Sequence, residues 1–210
     1  MKTIALFGGT GQTGKEFLQQ ALAKNYQIKA LVRTPAKVTK ISPDLEVITG
    51  DVLNLEDVHR TIAGTDIVVS LFGHGKGSPE WLQTTGTENI LAAMEEYQVS
   101  RIISLSGGGL PYEKDRPKFP DKVIRFIMKV AVPRVLNDAI RHAEVLKNSD
   151  VTWTIVRGPQ LTNEPKRGEY RIGWVGVNAG TKLGRADLAD FILRLVEHKG
   201  YDNQMPFVSY

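Results

Sequence analysis

The chain has 210 residues, 41% of them hydrophobic, enough for one globular domain with a substantial core and too few for two. Its 27 basic and 23 acidic residues are interspersed, so the net charge of +4 offers a mild attraction for an anionic cofactor or substrate but no clustered stripe for nucleic acid. There is no cysteine, which excludes disulfides and thiolate chemistry, and no stretch approaches the roughly 18 apolar residues of a membrane span.

The first apolar run, Thr3-Ile4-Ala5-Leu6-Phe7, is too short for a signal peptide and reads as a strand over 3–8, so a cytoplasmic location without a membrane partner is expected. A glycine turn leads into a helical period over 14–24, which Asn25 would end as a left-handed cap. Strands at 27–33 and 46–49, a helix at 55–63, a strand at 66–71 and a helix at 79–97 follow, with Ser78 as cap and Pro79 at the first helical position. A strand at 101–106 precedes a long helical pattern over 122–147 that Pro133 kinks or splits. A strand at 152–156, a helix at 186–197 and a late strand near 205–208 complete the pattern. Strands alternating with helices in this way predict a single Rossmann-type, doubly wound α/β domain over 1–210, with a mostly parallel sheet and helices on both faces. The loops 107–120 and 158–182 are expected to form an acceptor pocket.

The segment Gly8-Gly9-Thr10-Gly11-Gln12-Thr13-Gly14 joins the first strand to the first helix. Glycines there allow a tight turn and close approach to a pyrophosphate, which rests on the amides at a positive helix N-terminus. About twenty residues after such a turn an NAD site commonly presents Asp or Glu to the ribose hydroxyls. Arg33 stands there instead, with Lys37 four residues on. A planar guanidinium suits a 2′-phosphate, so NADP(H) is preferred over NAD(H). Asp51-Val52 can meet the adenine edge through an acceptor and an apolar contact.

With these residues in view, the sequence resembles the atypical short-chain dehydrogenases, most closely the biliverdin reductase B and flavin reductase family. The likeness is carried by Phe7 to Gly14, Leu31-Val32-Arg33, Gly50-Asp51-Val52-Leu53, Ala63-Gly64-Thr65-Asp66, Asn89 to Met94 and Gly168-Glu169-Tyr170. It implies that Thr10 to Thr13 cradle the diphosphate, that Arg33 and Lys37 take the 2′-phosphate, and that Asp51 and Val52 flank adenine. It further implies that Leu71, Phe72, Gly73 and His74 run along the cofactor, with Ser104, Pro159 and the end of the fifth strand near the nicotinamide. Two departures stand out: the family's serine near the reacting ring aligns with Gly107, leaving Ser106 one place earlier, and its active-site histidine is replaced by Gln160. Ser106 and Gln160 are the candidates for orienting the acceptor.

Ketone-reducing relatives use a Tyr-x-x-x-Lys pair on the helix after the fifth strand, because a nascent alkoxide needs a proton promptly. Alignment on Ala143-Glu144-Val145-Leu146 puts Leu136 and Ile140 at those positions. A flavin does not impose that need, since charge delivered to its ring system is delocalised. The expected function is therefore hydride transfer from NADPH to a planar acceptor, a flavin taken as substrate rather than held as a cofactor, with a bilin as the second acceptor. The rival is an NADP(H)-binding redox sensor that regulates a protein partner without turnover; a nucleotide-sugar epimerase is disfavoured for want of a substrate domain. A monomer is expected from the resemblance.

His59, His142 and His198 fall on helical patterns and read as surface residues, and no histidine pair has zinc-ligand spacing with a third partner. Trp174 reads as packing, with the border of the acceptor pocket as the alternative. Residues 122–129 form a basic amphipathic stretch, read as a packed helix or a cover over the acceptor in preference to a membrane-surface helix.

Overall fold

The computed structural model describes residues 2–210; Met1, where the expected 1–210 domain begins, lies outside the described residues. In chain order the elements are β1 (Thr3–Phe7), α1 (Gln12–Ala23), β2 (Gln27–Val32), β3 (Leu45–Thr49), α2 (Leu55–Ile62), β4 (Ile67–Ser70), α3 (Leu82–Glu96) and β5 (Arg101–Gly107). There follow α4 (Phe119–Ala131), α5 (Pro133–Lys147), β6 (Thr152–Gly158), β7 (Gln160–Thr162), β8 (Arg171–Gly173), β9 (Lys182–Gly184), α6 (Arg185–Glu197) and β10 (Phe207–Ser209).

The main sheet runs in the order β3-β2-β1-β4-β5-β6-β10-β8. It is parallel throughout except at its last pair, where β8 runs antiparallel to β10. This is a Rossmann-type α/β fold. The alternation of side chains along β1 divides the core: Ile4 and Leu6 pack with Phe17 of α1 and Leu188 of α6, whereas Ala5 and Phe7 pack with Val58, Ile90 and Leu146 of α2, α3 and α5. Strand order reverses between β1 and β4, so the crevice beyond their carboxyl ends is where a doubly wound sheet receives its ligand.

Two expectations change, and the split at Pro133 is borne out. Helix α3 begins at Leu82 rather than 79, because Ser78 closes a local turn instead, its Oγ accepting from the Gly75 amide at 2.8 Å. The 122–147 pattern is two helices: Val132, in a non-helical conformation imposed by the following Pro133, separates them, and Pro133 opens α5. The loop 158–182 holds β7 and β8 and leads into β9, strands of three residues each, too short to register as a period in sequence. Asn25 does adopt the left-handed conformation, with φ of 61°.

Candidate functional site

The turn after β1 is shaped by contacts that only glycine permits. Gly8 has φ of +83° and lies against the backbone at Leu71 and Phe72, at the end of β4. The Gly11 amide donates to the Gly8 carbonyl at 3.0 Å, and Lys15 returns to Gly11 at 2.9 Å, which starts α1 at Gln12. No side chain caps this helix and no acid occupies its first turn. The amides of Gln12, Thr13 and Gly14 are thus the orphan donors of a helix start, an arrangement suited to a phosphate.

A cleft of about 290 Å³ opens beside the turn, lined by Gly8, Thr10 and Gly11 and closed on its far side by Arg33, Lys37, Asp51 and Val52. Arg33 follows β2 directly, and Lys37 ends a single 3₁₀ turn, Pro35–Lys37, which aims both exposed cations at the same end of the cleft. Asp51 is held from two sides: its amide donates to the Asp57 carboxylate at 2.9 Å, and its own Oδ1 accepts from Leu53 at 3.0 Å. Asn89 of α3 donates to the Val52 carbonyl at 2.9 Å, fixing the apolar wall at its root. Leu71, Phe72 and Gly73 form the remaining side, and the Phe72 ring fits over Gly86 of α3, where a Cβ would come within 2.7 Å of it. Leu31, Gly50 and Leu82 also line this cleft and were not singled out from sequence as contacts.

A second, more apolar cavity of about 400 Å³ lies at the ends of β5 and β6, one strand along the sheet from the end of β4. Gly107, Gly108 and Gly109 form one wall and Gly158, Pro159 and Gln160 another. Ile124, Arg125 and Met128 of α4, within the 122–129 stretch read as a packed helix or a cover, also line it, as does Phe207 of β10, which no sequence spacing marks. Glycine is what lets them approach: Phe207 packs against Gly108 and Met128 against Gly109. Ser106 precedes this wall, and its Oγ is buried with no hydrogen-bond partner among the described residues.

Residues 8–199 match the model of a family described as NAD(P)H-binding. The chain belongs to that NAD(P)H-binding family. Its sequence is 24% identical to YwnB of Bacillus subtilis over 216 aligned positions, spanning 96% of this chain and 95% of YwnB. Among solved structures, a short-chain dehydrogenase/reductase of Veillonella parvula in complex with NADP superposes with a TM-score of 0.79 at 16% identity, covering 100% of this chain and 94% of that one. ChuY, an anaerobillin reductase from Escherichia coli O157:H7, superposes with a TM-score of 0.80 at 18% identity, covering 100% and 97%. At these identities the superpositions establish the shared fold.

In this NAD(P)H-binding protein the residues behind the two cavities are arranged differently from expectation. Ser104, expected at the cofactor, is buried with its hydroxyl 3.0 Å from Nε2 of His142, whose Nδ1 is 2.8 Å from Thr87 Oγ1. His142 is thus a core residue and not a surface one: the helical period that suggested an exposed face instead packs α5 against α3 and β5. Burial, only partly offset by the nearby Asp138 carboxylate, lowers its pKa to about 4, so it is neutral near pH 7. His74 is also redirected. It follows Gly73 in the loop after β4, but its Nε2 is 2.6 Å from Oδ2 of the fully buried Asp138. That carboxylate also accepts from the amides of Gln83 and Thr84, at 2.7 and 2.9 Å, and so caps α3 from a neighbouring helix. Burial alone would raise the Asp138 pKa; the hydrogen bonds from Thr84, Gln83 and His74 hold it below the ordinary carboxylate value.

Trp174 packs against Tyr112 and Tyr201, while its neighbour Val175 lines the second cavity. Beneath that cavity, the fully buried Arg157 makes a bidentate pair with Asp115, both contacts at 2.9 Å, and donates to the carbonyls of Leu110 and Met205. Asp115 is shared with Arg125 of α4. No sequence signal marks this pair, since Arg157 lies near the end of β6 and Asp115 sits in an irregular loop.

Proposed function

We propose that this chain is an NADPH-dependent reductase whose acceptor is a planar conjugated molecule, a flavin first and a bilin second. The observation that carries the reading is the adjacency of the two cavities: a phosphate-ready cleft with two cations at one end, and a more apolar cavity, on neighbouring strands of one sheet edge. Thr10, Gly11 and the first-turn amides of α1 would hold the diphosphate, Arg33 and Lys37 the 2′-phosphate, and Asp51 and Val52 the adenine. The bound nicotinamide supplies the hydride.

The protein's own part is to align the two rings and exclude water. Holding reactants in position can supply several kcal/mol of the barrier reduction. Gln160, exposed at the cavity wall, orients the acceptor, and Ser106, buried directly before Gly107, supports that wall from behind. Helix α5 carries no tyrosine, and Leu136 and Ile140 stand at the positions aligned with the proton-donating pair of ketone reductases. Such a site suits an acceptor that disperses the incoming charge over its own rings.

The test is the decay of NADPH absorbance with purified protein and FMN, repeated with NADH and with biliverdin. Saturable turnover that favours NADPH is the expected result. Charge-assisted contacts to a phosphate are worth about 1.5–3 kcal/mol, so Arg33→Gln should raise the KM for NADPH about 10- to 100-fold and leave that for NADH nearly unchanged. Tight NADPH binding without turnover on any flavin or bilin would replace the reductase with a redox sensor.

A further inference from the structure

Helix α4 is unlike every other helix of the fold, because none of its thirteen residues is buried. Its apolar side chains face solvent: Phe119 is 80% exposed, Phe126 68%, Val130 67% and Ile127 55%. They fall at intervals of seven, eight and eleven from Phe119, with Val123 at four, and so form one continuous stripe. Lys118, Lys122 and Lys129 follow the same spacing and form a cationic row along one flank of that stripe. The opposite side of the helix faces the protein, where Met128 meets Gly109 and Arg125 pairs with Asp115.

We infer that α4 docks the protein onto an anionic membrane surface, its phenylalanines entering the headgroup boundary and its lysines pairing with lipid phosphates. Charge complementarity decides between this and a second copy of the chain. The one carboxylate on α4, that of Asp121, is engaged in accepting from the Lys118 amide at 2.8 Å, so an identical face brings no acidic row for the lysines to meet. A bilayer containing acidic lipid offers both requirements at once, an apolar layer and a negative plane beside it. Because Ile124, Arg125 and Met128 of the same helix line the second cavity, docking would place that cavity at the lipid boundary.

The test is flotation of the full-length protein with vesicles of phosphatidylcholine containing one quarter phosphatidylglycerol, and with vesicles of phosphatidylcholine alone, monitored alongside light scattering for oligomeric state. The protein should float with the acidic vesicles and remain behind with the neutral ones. Each lysine near such a surface is worth about five-fold in partitioning, so K122Q/K129Q should weaken binding about 25-fold. F126E/I127E should abolish flotation while circular dichroism and NADPH binding are retained, since neither residue belongs to the cofactor cleft. Failure to float with acidic vesicles overturns the inference, as does equal binding to neutral ones. A dimer that F126E/I127E dissociates overturns it in favour of self-association. None of these readouts depends on turnover, so they remain decisive whether or not the reductase reading holds.

Discussion

A side chain at residue 14 would begin in collision with the carbonyl oxygen of Gly8, and the turn that presents the α1 amides could not close around it. Gly14→Ala is therefore expected to weaken NADPH binding by more than about ten-fold through displacement of the turn, a change titration calorimetry would detect. His142 gives a pH prediction of definite sign. Its folded pKa of about 4 lies below the ordinary 6.5, so the unfolded chain takes up a proton that the native chain refuses. The stability it contributes is complete above pH 6.5 and disappears as pH falls toward about 4, a loss on the order of 3 kcal/mol. His142→Leu should flatten that part of the denaturation-versus-pH curve. It should also cost about 2 kcal/mol at pH 7, because the hydroxyls of Thr87 and Ser104 lose their partner.

At the level of elements, Asp138 ties three segments together: α5, the start of α3 and the loop bearing His74. Asp138→Ala leaves two buried amides and a histidine unanswered, with an expected loss of about 3 kcal/mol and roughly 6–12 °C in Tm. The same residue shows where sequence reading ends. The glycine turn, Arg33 and Asp51 were legible because each belongs to a local pattern with a fixed offset from a strand, and the structure gathers them into one cleft. The second cavity was legible as two loops with residues 122–129 as a packed helix or a cover. Its walls on α4 and β10 depend on which distant elements the chain folds back upon, and nothing in the period of residues 119–131 distinguishes a helix packed on its apolar face from one that exposes it. The pairing of Ser104 with His142 is hidden from the sequence for a related reason. A serine in a strand and a histidine on a helix look like surface or site residues until both prove to face the same interior layer.

For the whole molecule, the Arg157–Asp115 pair links β6, the loop after β5 and, through the Met205 carbonyl, the approach to β10. Burial by itself would raise the Asp115 pKa, yet Arg157 and Arg125 hold it below the ordinary value. Arg157→Met should cost about 3–5 kcal/mol by leaving a buried carboxylate short of its partner, and R157M/D115N should recover part of that loss in urea titrations. The strand served by this pair, β10, has its own consequence for how the protein comes into being. It lies between β6 and β8 in the sheet, and β8 reaches the sheet only through it. The residues that line the first cleft all lie between Phe7 and Leu82, whereas the second cavity has no closed wall until Phe207 has left the ribosome. Because Asp138 of α5 also fixes the start of α3, the domain reaches its native sheet edge as one unit, and a chain cut short before β10 would lack a wall of the second cavity while keeping every residue that lines the first.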